Sequence, residues 1–124
     1  MTVHDPETLT RHIAQQIALL NEQLITARPQ QAARILGRVL DPEDGILGRL
    51  TTLMATGSRF AQDRATAGAL PPEVWLALGR AANELHDIGL DLDEHAADIQ
   101  EVAQAPAAAP VPPVASALVA RRHR

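Results

Sequence analysis

The chain has no cysteine, no lysine and no tyrosine, and it carries a single tryptophan and a single phenylalanine. Each absence removes chemistry. Without cysteine there are no disulfides, thiolate metal ligands or thiol nucleophiles. Without lysine there is no amine for a Schiff base and no ammonium to anchor a phosphate; all 11 basic residues are arginine. Hydroxyl nucleophiles reduce to Ser58, Ser116 and several threonines, and neither serine sits in a glycine elbow. A glycine-rich phosphate loop is missing, as is the alternation of β-branched and polar residues that marks strands. No apolar run approaches the roughly 20 residues needed to cross a bilayer. The opening MTVHDPETL lacks a basic segment followed by an apolar one, so no signal peptide is expected. A cytoplasmic, non-enzymatic protein with no cofactor, no metal and no membrane partner is the expectation that follows.

What is present is helical. A length of 124 residues fits one domain. Three helix starts recur: Asp5-Pro6-Glu7, Asp41-Pro42-Glu43 and Pro71-Pro72-Glu73. Aspartate accepts orphan backbone N–H groups, proline fits the first helical position, and glutamate complements the helix dipole. Pro29 adds a fourth boundary. The spacing therefore predicts helices over about 6–27, 30–40, 42–66 and 72–104. The first carries an apolar stripe of Leu9, Ile13, Ile17, Leu20, Leu24 and Ala27, and the third carries Ile46, Leu47, Leu50, Leu53, Met54, Phe60 and Ala61. Trp75 is expected to anchor the entrance of the last helix near Phe60. The predicted fold is an all-α bundle of about four helices spanning residues 1–104. A Pro/Ala-rich disordered tail, 105–124, with the basic end Arg121-Arg122-His123-Arg124, follows it.

The last helix is the most patterned segment. Leu78, Leu85, Leu92 and Ile99 recur every seven residues, and Ala81, Ile88, His95 and Val102 hold a second recurring place. Acids occupy the open faces. Residues 84–120 contain seven Asp or Glu and no arginine, whereas residues 1–83 balance eight of each sign. The acids read as a solvated surface. A seam of Leu78, Leu85, Ile88, Leu92, His95 and Ile99 on a helix longer than its neighbours must be buried by something. The expected function is thus a helical interaction or assembly module, with a second copy (a dimer) or another protein's helix on that seam. His95 is the polar member of the row, with Asp91 and Asp98 near enough in sequence to bond it.

Two resemblances offer other chemistry. Leu85-His86-Asp87-Ile88-Gly89 resembles the His-Asp signature of the HD-domain metal-dependent phosphohydrolases. Membership would imply a metal held by an upstream histidine, the His86-Asp87 pair and a downstream aspartate. Only His86 and Asp87 match. No histidine lies between His12 and His86, and no aspartate follows Asp98. A carboxylate-bridged di-metal bundle would need Glu-x-x-His pairs on two helices, which the chain does not offer. Gln31-Ala32-Ala33-Arg34-Ile35-Leu36-Gly37 resembles the first helix and turn glycine of helix-turn-helix proteins. It implies a DNA-binding regulator using residues 31–49, with Asp41-Pro42 opening the recognition helix and Arg28, Arg34, Arg38 and Arg49 as nucleic-acid contacts. Arg38 directly after the glycine, and Glu43 and Asp44 at the start of the second helix, depart from that pattern.

Overall fold

A computed structural model describes residues 5–106. They form α1 (Pro6–Thr26), α2 (Pro29–Leu40), α3 (Ile46–Thr66), α4 (Pro72–Asp93) and α5 (Ala96–Gln104). There is no strand among the described residues, so the chain is all-α with five helices rather than about four. The expected tail and its basic end fall almost wholly on residues 107–124 and lie outside the described residues.

Prolines open α1, α2 and α4 at the first helical position, where the missing N–H leaves nothing unsatisfied. Asp5 caps α1: its Oδ2 accepts the Thr8 amide at 3.1 Å and the Thr8 hydroxyl at 2.6 Å. Those two bonds, the hydroxyl first, hold the Asp5 carboxyl below its ordinary range.

The second predicted start behaves differently. Asp41 Oδ1 accepts the amides of Glu43 at 2.9 Å and Asp44 at 3.4 Å, closing a turn, and the helix begins only at Ile46. The aspartate that was expected to cap a helix caps the turn before it. Gly48 explains how tight this corner is. A Cβ there would run into the carbonyl oxygen of Pro42 and stand 2.7 Å from that of Glu43.

The turn between α3 and α4 is centred on Gly68. Its φ of +82° belongs to the left-handed region that glycine enters without a Cβ penalty. The amide of Gly68 bonds the Ala65 carbonyl at 2.9 Å and the amide of Ala69 bonds the Arg64 carbonyl at 2.7 Å. This paired pattern satisfies the last carbonyls of α3 and stops the helix.

From that turn the chain reads as one long hairpin. α3 packs along α4, and α2 packs along α5. Residues at similar distances on either side of Gly68 meet across the seam. The Gln30 side-chain amide donates to the Pro106 carbonyl at 3.2 Å, and Arg34 Nη1 donates to the Ala103 carbonyl at 3.0 Å. Near the turn, Ser58 Oγ donates to the Trp75 carbonyl at 2.9 Å. Both arms break at the same level, one at 41–45 and the other at Glu94–His95. There the predicted single helix over about 72–104 divides into α4 and α5. The His95 amide turns back to the Leu92 carbonyl at 2.9 Å, a three-residue reach that tightens the turn.

The buried positions are all small: Ala33, Gly48, Ala61, Ala82, Gly89 and Ala103. Alanine and glycine at the contacts let helix axes approach closely, and larger aliphatics then flank the line of contact instead of filling a central core. No side chain larger than alanine is buried among the described residues. The fold consequently leaves much of its aliphatic surface in water.

Candidate interaction surface

The heptad row of the sequence faces inward. Leu78 lies 3.8 Å from the position a Gly57 Cβ would take, Leu85 lines a crevice with Pro42, Leu47 and Thr51, and Leu92 and Ile99 line a cleft with Ala33, Gly37 and Leu40. All four are half-buried. The partner for this row is the other arm of the same hairpin, which the sequence could not show because it requires the α2–α3 arm to fold back on α4–α5. The other two members of the expected seam point elsewhere. Ile88 is exposed, and His95 stands at the α4–α5 break with two-thirds of its side chain in solvent. Its Nδ1 lies 3.5 Å from Asp98 Oδ2, so of the two aspartates expected near it Asp98 is the one in reach.

His86 and Asp87 are both exposed on α4. Among the described residues, no three His, Asp or Glu side chains gather where they could hold a metal ion. Gly37, expected as a turn glycine, lies inside α2, and the turn runs over 41–45 instead. Arg28, Arg34, Arg38 and Arg49 are all exposed, on or next to two different helices. Arg34 is drawn to the Ala103 carbonyl, and Arg49 pairs with Asp44 at 3.3 Å. That ion pair is open to solvent on both sides and contributes little to stability.

Two apolar faces are exposed. The first belongs to α1, which meets α2 near Leu20. Leu20 lines a shallow site with Ile35, Val39 and Ile46, a position it reaches only if the chain reverses at Ala27–Arg28. Ala27 and Arg28 have extended backbones and Pro29 blocks helix continuation, which supplies the reversal. Beyond Leu20 no helix packs along α1 closely. Leu9, Ile13 and Ile17 remain 45%, 50% and 48% exposed, although their spacing puts them in one row.

The second face belongs to α3. Ile46, Leu50, Leu53 and Phe60 recur at intervals of four, three and seven, with Gly57 in the gap, and form an outward row. Leu53 is 59% exposed and Phe60 61%. The Trp75 backbone carbonyl is held by the Ser58 hydroxyl. Only Gly57, in the gap of this row, approaches α4, with Leu78 Cδ1 3.8 Å from where its Cβ would stand. Sequence reasoning saw the apolar residues of the third helix but merged two rows into one. Leu47, Met54 and Ala61 turn toward α4, whereas Ile46, Leu50, Leu53 and Phe60 do not. The seven-residue interval of 46, 53 and 60 was the available signal.

A cleft of about 390 Å³ opens between α2 and α5 at the level of the double break. It is lined by Ala33, Gly37, Leu40, Leu92 and Ile99 together with Arg34, Arg38, Asp41 and Asp93. No family model matches this chain, and neither a curated protein nor a solved structure does.

Proposed function

We propose that the chain is a non-enzymatic helical interaction module, and that the apolar rows of α1 and α3 are the surface on which a partner helix docks. One observation carries this. Leu9, Ile13, Ile17, Ile46, Leu50, Leu53 and Phe60 are each between 38% and 61% exposed, in two ordered rows and not scattered singly. Isolated exposed aliphatics are normal on a protein surface; contiguous rows mark contact sites. Covering the exposed part of each such side chain contributes roughly 1 kcal/mol, about half of the value for complete burial. An amphipathic helix laid against these rows gains that from several residues at once and adds its own apolar face. The inward row of Leu78, Leu85, Leu92 and Ile99 acts in this scheme as the scaffold that holds the two arms of the hairpin together.

The test is a pair of charges on the outward row. Leu53→Asp with Phe60→Asp leaves the α3–α4 contact line untouched, so the far-ultraviolet spectrum stays helical. Binding of an amphipathic-helix probe, or concentration-dependent association of the chain itself, weakens by at least about tenfold, since two anchors are lost and charges are buried. Unchanged association with the fold intact removes α3 as the docking surface.

A further inference from the structure

The seven glycines of this chain separate into those the fold explains and one it does not. Gly68 needs its positive φ, and Gly45 and Gly48 meet backbone at the 41–45 turn. Gly57, Gly79 and Gly89 have neighbours between 3.3 and 3.8 Å from where a Cβ would stand. Gly37 sits inside α2 with nothing within 4 Å of that position. A helix interior favours alanine over glycine, and this chain uses alanine 23 times. Nothing inside the molecule accounts for the missing side chain. Glycine at an exposed helical position permits another backbone to come close.

The neighbours of Gly37 indicate which backbone. Gln30, Arg34 and Gly37 lie on one face of α2 at helical spacing, and Asp41, the residue that ends the helix, follows four residues after the glycine. Arg34 stands three residues before the glycine. We propose that α2 is a self-recognition helix: two copies of this chain cross antiparallel at Gly37, and Arg34 of each copy pairs with Asp41 of the other. A two-fold axis makes the contact isologous, so a single arginine and a single aspartate supply two ion pairs. A parallel crossing sets Arg34 against Arg34 and does not satisfy either.

Both groups keep capacity for the contact. Arg34 gives one N–H to the Ala103 carbonyl, and a guanidinium carries five. Asp41 accepts its two turn amides on Oδ1, and among the described residues Oδ2 accepts none. The cleft beside Gly37 carries two arginines and two aspartates, Arg34, Arg38, Asp41 and Asp93. That balance suits a copy of itself; a polyanion such as duplex DNA would meet both carboxylates. The contact goes beyond the apolar rows of α1 and α3 and uses none of their residues.

The experiment is sedimentation velocity on the full chain over a range of concentrations, with circular dichroism on each variant. Gly37→Leu enters open space, so the helix signal and thermal midpoint do not fall, while the dissociation constant for self-association rises by at least about tenfold. Arg34→Asp and Asp41→Arg each weaken association by a similar factor, and the double exchange restores it to within about threefold, since the pair is re-formed with signs reversed. Gly37→Cys, the sole thiol in a cysteine-free chain, forms an intermolecular disulfide under mild oxidation, and Arg59→Cys on exposed α3 surface does not. If the charge variants unfold, Gly37→Leu and the thiol pair decide alone.

A wild-type chain that stays monomeric at the highest concentration overturns the proposal. So does self-association indifferent to Gly37→Leu, or a monomer that binds duplex DNA and loses it on Arg34→Ala. Association abolished by Leu53→Asp with Phe60→Asp but not by Gly37→Leu removes self-recognition through α2 and leaves the apolar-row function standing. The converse result removes only the latter.

Discussion

Two glycines eleven residues apart give opposite answers to the same substitution. A methyl group at Gly48 collides with the Pro42 carbonyl oxygen and stands 2.7 Å from the Glu43 carbonyl oxygen. Both obstacles are backbone, and the turn that carries them cannot drift freely. Its amides are held by Asp41 Oδ1, and the Gly48 amide itself bonds the Asp41 carbonyl at 3.2 Å. Forcing one carbon into such a site costs about 1–3 kcal/mol. Alanine returns at most about 1 kcal/mol in helix propensity, and less so close to a helix start. The net loss for Gly48→Ala is roughly 1–2 kcal/mol, which lowers the thermal midpoint of a domain of this size by about 5–15 °C. At Gly37 the same methyl meets nothing within 4 Å, so only the propensity gain remains. Gly37→Ala therefore raises the midpoint by up to about 4–8 °C. The assay is thermal unfolding followed by far-ultraviolet circular dichroism in dilute solution, where linkage to association is small. If both variants shift in the same direction, the tight corner at 41–45 is not what Gly48 serves, and the distinction drawn at Gly37 loses its basis.

Further outcomes follow from single contacts. Ser58→Ala removes the bond to the Trp75 carbonyl and lowers stability by about 0.5–1 kcal/mol. A shift in Trp75 fluorescence accompanies the loss, and an unchanged midpoint and emission together would show that the bond does not hold α3 to α4. The Asp5 carboxyl is held below its ordinary value by Thr8, so its contribution to α1 is complete above the unfolded value and is lost as pH falls through the folded one. Amide exchange in the first turn of α1 should speed up below about pH 4, and Asp5→Asn should remove most of that dependence. Equal acid sensitivity in the variant would refute the cap.

The helical class was plain in the sequence because its signals are local. Prolines at 6, 29 and 72 open helices where expected, and Asp5 caps the first. Local signals also misplaced the third start. Asp41-Pro42-Glu43 has every residue of a helix entrance, yet the corner packed against Gly48 turns it into a separate turn. The break at Glu94–His95 carries no proline or glycine and was not visible at all. It lies opposite the 41–45 turn, across the hairpin, so the helices of both arms are interrupted at one level.

The candidate surface was half legible. Leu78, Leu85, Leu92 and Ile99 were read as a row in need of a cover, and all four are half-buried, but a row does not name its cover. Pairing distant residues such as Gln30 with Pro106 is a long-range matter, settled by chain reversal at Gly68 and not by any pattern within α4. Once that arm occupies the row, the apolar residues left in solvent include Leu53, Phe60 and the α1 stripe, which the hairpin does not cover.

Sequence by itself determined which segments are helical, where most of them start, and which residues are apolar enough to need burial. Those properties depend on caps, prolines and periodicity, whose effects act within a turn or two of chain. Tertiary structure alone decided which apolar rows are satisfied internally and which face water. With only alanine and glycine at the buried contacts, two arms close tightly on one face each, and geometry leaves no room to bury the rest.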